Sequence, residues 1–241
     1  MSTFLEALSH NDVDAMRRVL GAYIQHNPNA PTGPEFILGI QPTLKEAGFS
    51  FQLHRIFVDG PFVVTHITFS NAVALGADVV VVFDIWKVID GRIDEHWDCI
   101  EPLTGDSTQQ STRTNGPTEV VDHHGTETNK RIVRDFVSTV LTDGNSDRLH
   151  EYVLEGLQHH HNRGFDGPWG SIEKTHSNAR RNTLHRVLGE GNFVLTQSEG
   201  YVDSQPYALY DLFRLENGKI AEHWDVRQEI PATPANDNGM F

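Results

Sequence analysis

A single cysteine, Cys99, rules out an intrachain disulfide and any paired-cysteine metal or redox motif. A lone thiol of this kind is expected as a small buried hydrophobe. Basic residues are also scarce: 19 Lys and Arg stand against 33 Asp and Glu, a formal charge of -14. Such a surface repels phosphate backbones and anionic headgroups, so neither nucleic acid nor membrane is an expected partner. The best uncharged apolar run, Val79–Phe83, is strand-length and far short of the roughly 18 residues of a membrane span. The opening MSTFLEALSHNDVD has neither the basic start nor the apolar stretch of a signal peptide, which leaves the expectation of a soluble, cytoplasmic chain. GxGxxG, P-loop, GxSxG and HExxH patterns are absent, removing the common nucleotide, esterase and zincin readings.

What the chain does contain is repetition. LHRIFVDGPFVVTH at Leu53–His66 returns as LHRVLGEGNFVLTQ at Leu184–Gln197, and FDIWKVIDGRIDEHWDCIEP at Phe83–Pro102 returns as YDLFRLENGKIAEHWDVRQE at Tyr210–Glu229. IQHNPNAPTGP at Ile24–Pro34 is answered by QHHHNRGFDGP at Gln158–Pro168. The three offsets are 134, 131 and 127 in chain order, so the second copy has shed loop residues. Three blocks in one order predict a duplication, with domains at 1–102 and 127–231. Residues 103–126, rich in Ser, Thr, Gly and Gln, read as a linker, and 232–241 as a disordered tail.

In the second copy Ile132, Val133, Phe136, Val137 and Val140 fall at helical spacing, predicting a helix over Asn129–Leu141. Further helices are expected over Asp147–Glu155 and Ser171–Asn182. Four strands follow, turning at Glu190-Gly191 and Asn217-Gly218. The first copy repeats the order, with turns at Asp59-Gly60 and Asp90-Gly91, but starts about three helical turns short. Helices followed by antiparallel strands define an α+β domain.

Strand alternation places Asp84 and Trp86 on one face of their strand and His96 and Asp98 on one face of the next; Asp211, Phe213, His223 and Asp225 repeat the pattern. The spacing from Asp84 to Asp98 and from Asp211 to Asp225 is 14 in both copies. An acid within an apolar strand is costly unless hydrogen-bonded or protonated, and paired carboxyls beside a His form an acid/base set. Asp84, His96 and Asp98, with Asp211, His223 and Asp225, are therefore the candidate catalytic residues. His26, His54, His66, Trp86, His160, His185 and Phe213 are candidate substrate contacts. The run His159–His161 suggests a metal cluster, but adjacent strand residues diverge and the first copy has only His26 there, so no metal ligand set is expected.

The IQHNP block, the HRI-x-x-DG-x-x-V block at His54–Val63 and the EHWD that follows a G-(R/K)-I turn resemble the SnoaL-like polyketide cyclase family of the NTF2-like superfamily. That resemblance implies a cone-shaped α+β barrel, a curved antiparallel sheet with helices packed on the concave face, present in two copies. It implies that an aspartate at Asp98 and Asp225 acts as general acid/base in a cofactor-free aldol closure or isomerisation of a small hydrophobic carbonyl compound. The family has His where this chain has Asp84 and Asp211. A non-catalytic small-molecule binder is the alternative reading; epoxide hydrolysis, which uses an Asp-Arg-Asp set, ranks low because no Arg is placed convincingly between the paired carboxyls. Replacing Asp98 and Asp225 together by Asn is expected to abolish turnover. Trp97, Phe83 and Ile85, with Trp224, Tyr210 and Leu212, fall on the opposite sheet face, an apolar set that predicts an intramolecular pseudo-dimer through the sheets, with a further homodimer as an option.

Overall fold

The computed structural model describes residues 1–160 and 179–241. The chain divides into two compact units, Met1–Leu103 together with Ile230–Phe241, and Thr104–Glu229. In the first unit α1 (Ser2–His10) and α2 (Val13–Val19) lead into β1 (Leu20–Gln25). Two short helices follow, α3 (Pro34–Gly39) and α4 (Gln41–Glu46), and then β2 (Ser50–Asp59), β3 (Phe62–Ser70), β4 (Val79–Ile89) and β5 (Arg92–Pro102). The second unit contains α5 (Ser107–Thr112), α6 (Thr126–Phe136) with a π-type continuation over Val137–Thr142, α7 (Leu149–Tyr152) and β6 (Val153–His160). Its remaining strands are β7 (Ala179–Glu190), β8 (Phe193–Val202), β9 (Gln205–Glu216) and β10 (Lys219–Glu229).

Both sheets have one order, β1-β5-β4-β3-β2 and β6-β10-β9-β8-β7. The four-strand meander is antiparallel as expected, but the sheets are mixed, because β1 and β6 lie parallel to β5 and β10. A strand that precedes the meander and returns beside its last member can enter in this direction through a long crossover. The hairpins close where the sequence places them: Asp90 and Gly91 have φ of 48° and 76°, and Asn217 and Gly218 of 52° and 75°. Two successive positive φ values define the type I′ turn that matches strand twist, which Asp-Gly and Asn-Gly adopt readily.

Helices cover one face of each sheet. Phe4, Leu5, Ala7 and Leu8 of α1 share a core with Val63, Ile67, Val82 and Trp86. Asn11, at φ 53°, ends α1, and the Asp12 side chain accepts from Ala15 N (2.9 Å) to start α2. In the second unit Val133, Phe136, Val137 and Val140 pack on Val187, Val194 and Phe213. On the other sheet face Phe83, Ile85 and Cys99 are fully buried, the thiol as a small hydrophobe. Trp97 and Trp224 are buried as well, 3% and 1% exposed. No helix among the described residues is long and apolar enough to cross a membrane.

Several boundaries differ from expectation. The helix read over Asp147–Glu155 stops at Tyr152, since Val153 opens β6. Of the helix read over Ser171–Asn182, residues 179–182 belong to β7 and the rest lies outside the described residues, as does His161. The expected linker is built into the second unit: Val121 N donates to Asn192 Oδ1 and Asn192 N to Val121 O. The expected disordered tail instead packs on the first unit, where Asn236 Nδ2 donates to the carbonyls of Asn27 and Ala30 and Asn238 Nδ2 to that of Gln25, each at 2.8 Å. Composition suggested neither, because amide side chains that satisfy loop carbonyls look the same as solvated ones.

The two units differ most along the strand furthest from β1 or β6. In β2, Leu53, Ile56 and Val58 are 37%, 39% and 47% exposed. Their counterparts in β7 are Leu184, Val187 and Gly189, and α6 covers them: Leu184 and Val187 pack in its core. Gly189 is required by this packing, for a Cβ there would lie 3.0 Å from both Lys130 Cγ and Phe193 O. Gly189→Ala should therefore lower the unfolding free energy of the second unit by about 1–3 kcal/mol. Val58→Ala, at the matching exposed site, should change that of the first unit by less than about 0.5 kcal/mol. Urea titrations of the two variants make the comparison.

Candidate active site in the first unit

Register brings the predicted residues together. Asp84 stands directly opposite Asp98 across β4 and β5 and opposite Thr65 across β3 and β4, while Thr65 faces Ile56 of β2. The next row on the same face runs Val58, Val63, Trp86, His96. Directly opposite residues share a face, so one row carries both carboxyls and its neighbour carries the imidazole.

Asp84 is satisfied on both oxygens. His96 Nε2 meets Oδ1 at 3.0 Å, and Thr65 Oγ1 donates to Oδ2 at 2.8 Å. Trp86 Nε1 in turn donates to Thr65 Oγ1 at 3.1 Å, and the indole stacks on His96 with centroids 3.7 Å apart. Behind the ring, Tyr23 Oη and Gln25 Nε2 each lie 3.1 Å from His96 Nδ1. Tyr23 reaches this position from φ 48°, within the irregularity of the β1–β5 pairing between Leu20 and Ile24. A tyrosine in the left-handed region is a strained backbone held by its surroundings, here by the bond to His96.

Asp98 differs from Asp84. Its Oδ1 is buried and has no hydrogen-bond partner among the described residues. Burial pushes its carboxyl up to about 6; the Asp84 charge adds to the rise, while His96 and a hydrogen bond from Asn27 oppose it. Burial, followed by the charges of Asp98 and Asp84, also raises the Tyr23 hydroxyl well above its ordinary value. Asp84, His96 and Asp98 offer donor atoms within 4.8 Å of one another, a set that in composition could serve a divalent cation. Asp84 and His96 are, however, bonded to each other.

The second unit keeps the rows, Val187-Thr196-Asp211-Asp225 and Gly189-Val194-Phe213-His223, but changes their surroundings. His223 Nε2 meets Asp211 Oδ1 at 2.9 Å, and Phe213 stacks on the ring in place of Trp86. Arg181 grips Asp211, with Nη2 2.7 Å from both oxygens and Nε 3.2 Å from Oδ2, and both side chains are almost wholly buried. Arg113 reaches Asp225 through Nη1 to Oδ1 at 3.3 Å and Nη2 to the backbone carbonyl at 3.0 Å. His159 takes the position of Gln25, its Nδ1 2.8 Å from His223 Nδ1. Arg214, which lies between these carboxyls in sequence, pairs with Glu222 and Glu216 instead, and the fold brings Arg181 to Asp211 and Arg113 to Asp225. At the place in β2 that pairs as Arg181 does in β7, the first unit has Phe51.

Several expected substrate contacts lie elsewhere. His26 and His160 are one residue out of phase with the sites and stack on Trp97 and Trp224, on the opposite sheet face. His26 also meets Glu95 Oε2 at 3.2 Å, and His160 meets the Thr112 carbonyl at 2.7 Å. His66 pairs with Phe83, packs on its ring and meets Arg55 Nη1 at 3.0 Å, again away from Asp84. His54 meets Thr68 Oγ1 at 2.8 Å; burial, then the Arg55 charge, lowers it to about 4. His185 pairs with Glu199 at 3.3 Å, outside the cluster. Trp86 and Phe213 do reach the sites, as stacking partners of the histidines. Tyr23, Gln25, Thr65, Arg113 and Arg181 were not singled out, and His159 only as part of the His159–His161 run. Gln25 and His159 reach the sites because β1 and β6 lie parallel beside β5 and β10, a pairing that no local turn signals in the sequence.

Residues 1–96 match the family model of the SnoaL-like domain. That match covers most of the first unit, whose strand order the second unit repeats element for element. No curated protein matches the chain. Among solved structures, TsrD from Streptomyces laurentii is 24% identical, over 42% of this chain and 84% of that one, with a TM-score of 0.36. An LEH-like epoxide hydrolase of M. tuberculosis is also 24% identical, over 42% and 78%, with a TM-score of 0.34. A putative polyketide cyclase from Bacillus cereus is 16% identical, over 41% and 70%, with a TM-score of 0.35.

Proposed function

We propose that the first unit is a cofactor-independent acid/base catalyst for a small carbonyl compound with an apolar body, and that Asp98 is its base. The observation that carries this reading is the contrast between two adjacent carboxyls. Both oxygens of Asp84 are occupied by His96 and Thr65, whereas Asp98 Oδ1 is buried without a partner. A carboxylate with an uncommitted lone pair in a poorly solvated site is a proton acceptor, and a value near 6 suits proton transfer at neutral pH. The exposed residues Ile56 and Val58 extend the same two rows and supply an apolar wall beside it.

The step follows from these parts. Asp98 takes a proton from the carbon next to the carbonyl, the C–H electron pair forms the enolate, and its charge resides on the carbonyl oxygen. Return of the proton at another carbon gives isomerisation; alternatively the enolate carbon attacks a second carbonyl, whose π electrons go to its oxygen, and Asp98 returns its proton to that alkoxide. In the second unit Asp211 and Asp225 have lone pairs engaged by Arg181 and Arg113, which favours the non-catalytic alternative for that copy.

The test is hydrogen–deuterium exchange at the α-carbon of apolar bicyclic and aryl ketones in D2O, followed by NMR. Exchange is expected with the wild type and not with Asp98→Asn. Its rate should climb as Asp98 ionises and level off above a midpoint near pH 6. An exchange rate unchanged in Asp98→Asn would remove Asp98 from the chemistry.

A further inference from the structure

The hydrogen bonds behind His96 determine which ring nitrogen carries its proton. Asn27 N lies 2.8 Å from Gln25 Oε1. A backbone N–H can only donate, so the atom it meets is the carbonyl oxygen, and the orientation of the Gln25 amide is fixed. The Gln25 NH2 group therefore faces His96 Nδ1 at 3.1 Å as a donor. Nδ1 must accept, using its in-plane lone pair, and the Tyr23 hydroxyl shares that acceptor at 3.1 Å. The ring proton then sits on Nε2 and is donated to Asp84 Oδ1.

We infer that Gln25 is a positioning residue that holds His96 as the Nε2–H tautomer and so makes it a fixed donor to Asp84. Three consequences follow. Nε2 has no lone pair left for a metal ion, which turns the Asp84-His96-Asp98 donor set from cation binding to proton handling. The uncommitted acceptor of the cluster is then Asp98 Oδ1 rather than His96 Nδ1, which the Gln25 amide hydrogens occupy. The second unit lacks this lock, because His159 can present either a donor or an acceptor to His223. The consequence for Asp98 rests on the acid/base reading above; the tautomer itself does not.

The test needs no substrate. Long-range proton–nitrogen spectra of protein labelled in histidine side chains separate protonated from unprotonated ring nitrogens, with His96 assigned by its loss in His96→Gln or by contacts to Trp86. The wild type should show Nδ1 in the unprotonated region and Nε2 in the protonated one. In Gln25→Glu, a carboxylate oxygen replaces the donor, and the Nδ1 resonance should move to the protonated region, giving an imidazolium. In Gln25→Met, which adds no charge, the two nitrogens should shift toward averaged tautomer values. A wild-type His96 protonated on Nδ1 would overturn the inference. So would retention of the wild-type pattern in both variants, which would leave the role of Asp98 untouched. Loss of ketone exchange in Asp98→Asn together with a wrong tautomer would separate the two readings in the other direction.

Discussion

Asp98→Asn is expected to cut turnover by about two to four orders of magnitude and to make the protein more stable at neutral pH. The two effects have one origin. Burial raises the Asp98 carboxyl to about 6, against 3.8 for an ordinary aspartate, so the folded state holds a proton that the unfolded chain has released. Between those values the native state binds more protons, and stability falls as pH rises. The loss is complete above about pH 6 and absent below about pH 4. At about 1.4 kcal/mol per unit the penalty at pH 7 is on the order of 3 kcal/mol, and a neutral amide escapes it. Urea unfolding at pH 4 and pH 7.5 should show the variant ahead only at the higher pH. A stability gain equal at both would mean that the charge is not the cause. Asp225→Asn should leave turnover in place, which narrows the expectation that both aspartates act.

Arg181→Met should destabilise the second unit by about 3–5 kcal/mol, the largest stability effect anticipated for a single substitution. Arg181 and Asp211 are almost wholly buried, and the guanidinium engages both carboxylate oxygens. Removing it strands a charge in a low-dielectric interior, with His223 as a remaining hydrogen-bond partner. The pair itself is not necessarily worth that much, because desolvation of two ions offsets most of their attraction. Arg181→Met combined with Asp211→Leu should therefore recover much of the loss. If the double variant is as unstable as the single one, packing around Arg181 rather than its charge is responsible. In the first unit Ser50→Met, at an exposed residue of β2, should change stability by less than about 0.5 kcal/mol.

Much of this was legible in the sequence, and what was not has physical reasons. The period-two pattern around Asp84, His96 and Asp98 located the site because alternation fixes which side chains share a face once strands pair. The Asp-Gly and Asn-Gly turns fixed the hairpins, and through them the pairing of Asp84 with Asp98 and of Asp211 with Asp225. The parallel strands β1 and β6 could not be read this way, because no local turn ties them to β5 and β10. Their phase decided that Gln25 and His159 face the sites and that His26 and His160 do not. Arg113 was invisible for another reason. It lies in a Ser/Thr/Gly-rich stretch with no apolar period, and only the folded chain brings it to Asp225. Arg181 fell in a segment read as helix, where its alternation with the neighbouring strand residues had no meaning.

Gly189 and Val58 occupy one position of the duplicated unit and make incompatible demands on it: one admits α6, and the other stands exposed where that helix would press. In a protein made of identical subunits a single codon must satisfy every copy, so a residue that uncovers one site uncovers all of them. Tandem duplication gives each position two codons. One copy can keep its helix and its internal ion pairs while the other gives up coverage for access, and neither mutation has to be tolerated twice.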